Sequence, residues 1–355
     1  MACTKEGTCL AELVQMAMPV CQQAERACPR TGRGRRPEIP DWMMLVLIMV
    51  AVLKGRKSKS SQYRYLAAHR QELLGWLQMD RFPSRTTYFD RYRRCWRLLE
   101  TAVGIEGRRV VRYGLADARC VAVDQRVVPA RGPRWNKRQR TRGRVPRGAD
   151  LEATWTYSAY HGWVLGYGYE VVVTAGKNGP VWPILASADP AHWQPKRTFP
   201  AKLERLPSSA RYVLADAGYD SNAYGEAIEF DPQGRRTGRR FLCPQIYRRG
   251  EHRRPNQPRV EKGTRKLHRQ RRENRREFFE RPWSQKLFRR RGQTVEPFND
   301  WLKTRFDLHE RAWHRGLDNN RTQLLAAILS YQILLRYNRL QGHHHGQLQW
   351  ILDTL

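Results

Sequence analysis

CVAVDQRVV, residues 120–128, is where the pattern of this chain changes. Before it, apolar residues recur at helical spacing. Here β-branched residues crowd together, and a single carboxylate, Asp124, follows Val121, Ala122 and Val123. Such a run suits a pleated, buried surface, so we expect a strand ending at Asp124. Residues 151–184 then alternate aromatic and β-branched positions (TWTYSAYHGWVLGYGYEVVV at 154–173), which predicts two or three antiparallel strands. RYVLA, residues 211–215, is a second buried strand, ending in Asp216. Helices are expected over 200–206 and 222–229, and a further strand over 240–246. Strand, hairpin, helix, strand, helix, strand is an α/β layer arrangement.

Working outward, the first 110 residues read as helical. Residues 11–27 are amphipathic, TGRGRRP at 31–37 is a linker, and Asp41 can cap an apolar helix over 42–53 that Gly55 stops. Ser60 or Ser61 begins a third helix. Ser84 begins a fourth, carrying Tyr88, Phe89, Tyr92, Trp96 and Leu99 at helical spacing. This region fits a helix-turn-helix DNA reader or a plain helical bundle packed on the next domain. Residues 248–291 hold 18 Lys/Arg and five acids, with Pro255, Pro258 and Pro282, and read as a basic insertion. Helices resume from residue 294, and His343, His344 and His345 lie in a solvated tail. The expected division is 1–112 helical, 113–341 α/β, and 342–355 tail.

Lys and Arg total 66 against 33 Asp and Glu, a formal net charge of +33, while 40% of residues are hydrophobic. A folded chain with that excess calls for a polyanion, nucleic acid before an anionic membrane surface. The seven cysteines are scattered with no C-x-x-C, so neither a zinc ribbon nor a disulfide framework is indicated. The apolar run at 42–53 is too short for a membrane-spanning helix, which needs about 20 residues. No secretory leader is evident. A bacterial cytoplasmic protein with access to DNA is expected.

In so basic a chain, carboxylates at strand ends need a cause. Capping of the next turn is the ordinary one. If the two strands are neighbours, however, Asp124 and Asp216 converge, and paired carboxylates repel unless a cation lies between them. Mg²⁺ suits hard oxygen ligands. A third acid, Glu296, precedes Pro297, which is tolerated in a first helical turn, so Glu296 is expected at a helix start. Phe298, Leu302 and Phe306 would form its packing stripe. Lys303 lies two turns on, where it serves phosphate or forms a surface ion pair.

VAVDQ (121–125), LADAGYDS (214–221) and QTVEPFNDWLK (293–303) together resemble the three acidic motifs of bacterial insertion-sequence DDE transposases, over roughly residues 119–338. SSQYRYL (60–66) and PSRTTY (83–88) resemble the helical DNA-binding part of such enzymes. The resemblance implies an RNase-H-like mixed sheet flanked by helices, with Asp124, Asp216 and Glu296 as the catalytic and metal-binding triad. It implies two Mg²⁺ ions, with Mn²⁺ a possible substitute. It also implies double-stranded DNA partners (terminal inverted repeats and target) and a homodimer, with no membrane role. Phe288 stands where relatives carry Tyr, and Arg291 lies five residues before the Glu where many relatives have four, so Arg290 or Arg289 could serve in its place. Asp220 would hold its turn rather than metal. Phosphate contacts are expected from Arg291 and Lys303, from Arg131, Arg134, Lys137, Arg138, Arg140 and Arg142 in the acid-free run 131–147, and from Arg271, Arg272 and Arg275. Trp135 reads equally as a stacking residue or as core. The rival readings are an RNase-H-like nuclease or resolvase without strand transfer, and a catalytically silent DNA-binding derivative.

Overall fold

The computed structural model describes residues 5–29, 37–158, 161–177, 179–246, 263–306 and 311–355. Helices α1 (Lys5–Ala27), α2 (Asp41–Leu53), α3 (Lys59–Ala68), α4 (Arg70–Leu77), α5 (Arg85–Tyr92) and α6 (Trp96–Arg112) precede the sheet. In α2 every residue from Met44 to Leu53 is buried, as an all-round apolar helix requires. Pro40 takes its cap position, and Asp41 is instead the first helical residue, its carboxylate bound by Arg91. Ser58, not Ser60 or Ser61, caps α3, in a reciprocal box with Ser61. The single helix expected after Ser84 is two, broken at residues 93–95. The Tyr92 carbonyl, which would accept from Trp96 in a continuous helix, takes the Thr322 hydroxyl at 2.8 Å. A tertiary bond thus competes with the helix ladder.

The chain continues through β1 (Cys120–Pro129), α7 (Lys137–Thr141), β2 (Thr154–Ser158), β3 (Gly162–Thr174), β4 (Pro183–Pro190), α8 (Pro195–Thr198) and α9 (Pro200–Leu203). After these come β5 (Tyr212–Leu214), a 3₁₀ turn (Ala217–Tyr219), α10 (Asn222–Glu229) and β6 (Arg240–Leu242). The sheet runs β2-β3-β1-β5-β6, with β4 beside the C-terminal half of β3. β1 is antiparallel to β3 and parallel to β5, and β5 is parallel to β6. β1 is longer than the sequence suggests: Asp124 sits mid-strand, not at its end. Pairing with β5 covers only Cys120 to Ala122, so Asp124 lies just where its parallel neighbour has left the sheet.

Helices α11 (Thr264–Glu280), α12 (Pro282–Phe288), α13 (Arg290–Phe306), α14 (Leu317–Leu340) and α15 (Gln349–Asp353) complete the chain. The N-terminal helices share one core with the sheet and with α14. The side chains of α14 cover the carbonyls of β4: Arg321 donates to Ala188 O at 2.7 Å and Gln332 to Pro183 O at 2.7 Å, which shields that strand from edge pairing. Gly107 of α6 presses on the backbone of Ile184, where any Cβ would collide. Part of the expected insertion lies outside the described residues. The rest, α11 and α12, is packed structure, with α11 against α10 and β6. In the tail, His343 to His345 are exposed, while Leu348 and Ile351 are buried. No described helix is long and apolar enough to cross a membrane.

Candidate active site

Asp124 projects from β1 toward α13, and only 8% of the residue is exposed. Its Oδ1 accepts from Arg291 Nη2 at 2.6 Å and its Oδ2 from Asn299 Nδ2 at 3.0 Å. Burial holds the Asp124 carboxyl above the usual carboxylate range, while Arg291 opposes that shift. Asp216 follows β5, where its Oδ1 caps the 3₁₀ turn by accepting from Gly218 N at 2.9 Å. Its Oδ2 accepts from the same Arg291 Nη2 at 3.3 Å. Two acids far apart in sequence therefore meet on one cationic nitrogen, as the adjacency of β1 and β5 dictates.

Glu296 does not join them. It lies inside α13, in the second turn rather than at the start, because residues 290–295 extend the helix backward and Pro297 is accommodated within it. Its exposed carboxylate reaches back over Gly292. On a helical wheel it stands about 60° from Asn299, on the rim of the face that carries Asn299. Among the described residues, no three His, Cys, Asp or Glu side chains cluster at metal-ligand spacing. Asp124 and Asp216 nonetheless fit a hard cation. Their oxygens already converge on a point charge, and both are of the right donor type.

Sequence reading missed the supports of this pair. Asn299 is fully buried, and Tyr169 donates to its Oδ1 at 2.7 Å, which orients the amide so that its nitrogen faces Asp124. A polar residue beside Phe298 in the packing stripe was the available signal. Beneath Asp216, Tyr219 donates to buried Glu170 at 2.7 Å. Glu170 also takes Lys202 at 2.7 Å and Thr198 at 2.9 Å, so the turn that carries Asp216 is tied to β3. Only the tertiary fold brings these four together.

The expected phosphate contacts divide. Arg134, Lys137, Arg138, Arg140 and Arg142 are exposed on a loop around α7, and Arg131, also exposed, donates to Trp313 O at 2.8 Å. Trp135 is core, its Nε1 donating to Asp150 O at 2.7 Å. Lys303 pairs with Asp300 at 3.0 Å, not with Glu296. Arg271, Arg272 and Arg275 are turned inward, contrary to expectation. Arg272 grips both oxygens of Asp220 at 2.8 Å, Arg275 reaches Asn222 at 3.2 Å, and Arg271 binds Glu226. These carboxylates already meet their charges, so the three arginines staple α11 to α10. Phe288 packs edge-on against Phe279.

The Transposase DDE domain family matches residues 115–333. The chain belongs to the DDE transposase family. No curated relative and no solved structure matches the chain. The matched span holds the whole sheet together with Asp124, Asp216 and Glu296. The mixed sheet flanked by helices is the RNase-H-like fold of a DDE transposase domain. A transposase function and a DNA substrate follow from membership, and DDE transposases work with divalent metal ions.

Proposed function

We propose that this transposase binds the terminal inverted repeats of its own element, cleaves at the ends and joins the 3′ ends to target DNA. The reading rests on one observation above all: acids from adjacent parallel strands converge on a single cation. Asp124, Asp216 and Glu296 are the residues that would hold metal, Glu296 by turning from its exposed position toward the pair. Two Mg²⁺ ions there, or Mn²⁺ in their place, would activate the attacking water or 3′-hydroxyl and stabilise the leaving oxygen.

The chain's own groups supply the rest. Asn299 keeps Oδ2 of Asp124 occupied and leaves Oδ1 facing the site. Arg291 gives its guanidinium to a phosphate near the cut, for which its bidentate fork is suited, and Lys303 adds a point charge. Arg131, Arg134, Lys137, Arg138, Arg140 and Arg142 hold the backbone of the duplex. Arg85 and Thr86, exposed at the start of α5, read the inverted repeat. Two ends are processed together, so the working unit is a homodimer.

A strand-transfer assay with labelled element ends and supercoiled target tests this. Native protein with Mg²⁺ should give joined products. Asp124→Asn, Asp216→Asn and Glu296→Gln should each abolish cutting and joining while leaving the duplex bound. Cutting without joining would favour the resolvase-like nuclease. Activity that survives Asp124→Asn would remove the site.

A further inference from the structure

Tyr157 and Trp163 are 65% and 64% exposed, stand directly opposite each other across β2 and β3, and meet edge to face with ring centroids 5.7 Å apart. The two rings pack on each other across the hairpin, and neither joins the hydrophobic core. One step along the same face, Trp155 faces Leu165 and donates through Nε1 to Trp135 O at 2.7 Å. Trp135 pins the base of the cationic loop, where Gly132 meets Gly148, and Arg140 lies 5.2 Å over its ring. The exposed pair is thus continuous with residues 131–147, which carry eight Lys/Arg and no acid. Alternation puts Trp163 on the same face of β3 as Tyr169, whose hydroxyl binds Asn299, and as Val171, which is paired with Asp124. Eight residues separate Trp163 from Val171, about 26 Å of strand. At 3.4 Å per step this is about eight base pairs of duplex.

The geometry points to a base-stacking site: the Tyr157–Trp163 pair receives unpaired DNA bases about eight base pairs from the scissile phosphate, while the adjoining loop holds the backbone. Flat apolar faces beside an acid-free cluster of cations match a polyanion whose bases are exposed, and aromatic platforms stack any base. This rests on the reading that DNA lies across the Asp124 face.

The test compares binding, by fluorescence anisotropy, to a 40-base-pair duplex of arbitrary sequence and to the same duplex with a three-nucleotide bubble. Native protein should prefer the bubble by about tenfold. Tyr157→Ala/Trp163→Ala should erase that preference and leave intact-duplex affinity unchanged. Tyr157→Leu/Trp163→Leu, which keeps an apolar contact across the hairpin, should erase it too. Arg138→Gln/Arg140→Gln should weaken both DNAs equally. A preference that persists in the paired variants, or no preference in native protein that binds duplex, overturns the stacking site and leaves the transposase reading intact. Paired variants that instead lose self-association in sedimentation would reassign the pair to an interface between copies. Failure of native protein to bind either DNA would also overturn the stacking site, while the transposase reading is decided separately by strand transfer on labelled element ends.

Discussion

Asn299 sits between a phenol and a carboxylate, and each partner restricts the other. Tyr169 can only donate to the amide oxygen, so the amide nitrogen is committed to Asp124. Asn299→Ala should therefore unsatisfy two buried groups at once, lowering stability by about 1–3 kcal/mol, read from the denaturation midpoint. Combined with Tyr169→Phe the losses should be less than additive, since both changes break one chain of bonds. His314 gives a second prediction. Burial drives its pKa down to about 3, and it bonds Tyr92 at 3.0 Å. The unfolded chain takes up that proton near pH 6.5. Between about pH 6.5 and about pH 3 the unfolded state therefore holds the extra proton, and stability falls as pH drops through this window by about 1.4 kcal/mol per unit. His314→Asn should flatten that part of the profile. An unchanged slope would contradict the buried neutral ring.

Helix α6 lies against β4 because Gly107 lets the two backbones touch. Gly107→Ala should cost about 1–3 kcal/mol as the helix is pushed off the strand, visible as a lower melting temperature with the same helical content. Pro297 shows the opposite case, a residue whose local preference is overruled. Proline marks helix starts, but residues 290–295 already form helix before it, and buried Val295, Phe298 and Leu302 hold the turn together. Glu296 is consequently carried along the helix instead of being presented at its positive end. The break between α5 and α6 was equally illegible, since Thr322, which takes the Tyr92 carbonyl, lies 230 residues away. Strand β1 looked shorter than it is because Asp124 resembles a strand end. The strand continues because β3 pairs all along it.

A net charge of +33 says that the molecule meets a polyanion, not where. The fold sorts the cations into two kinds. Those around α7 are exposed, whereas Arg271, Arg272 and Arg275 are taken up by Asp220, Glu226 and Asn222. The two kinds should respond to different measurements. Neutralising Arg134, Lys137, Arg138 and Arg142 with Gln should reduce the slope of log affinity against log salt by about 0.9 for each DNA phosphate that the loop no longer neutralises, with stability unchanged. Arg272→Ala should leave that slope alone and destabilise the fold by about 3–5 kcal/mol, because it strands the Asp220 carboxylate in a buried place. Equal salt slopes for native and loop variants would remove the loop from the DNA interface.

Periodicity and composition were enough to read the alternation of strand and helix, the β-rich character of 120–128 and 154–173, and the demand for an anionic partner, because each is written in neighbouring residues. The three acidic motifs also carried the family. What the sequence could not express was convergence. Asp124 and Asp216 meet only because β1 and β5 are parallel neighbours, and Asn299, Tyr169, Glu170 and Lys202 act on them only through contacts that span 28 to 175 positions. Whether a given arginine faces DNA or a buried carboxylate likewise depends on which helix packs behind it. Local pattern encodes the elements, and long-range packing assigns their side chains to partners, since burial and the pairing of charge are properties of the assembled chain.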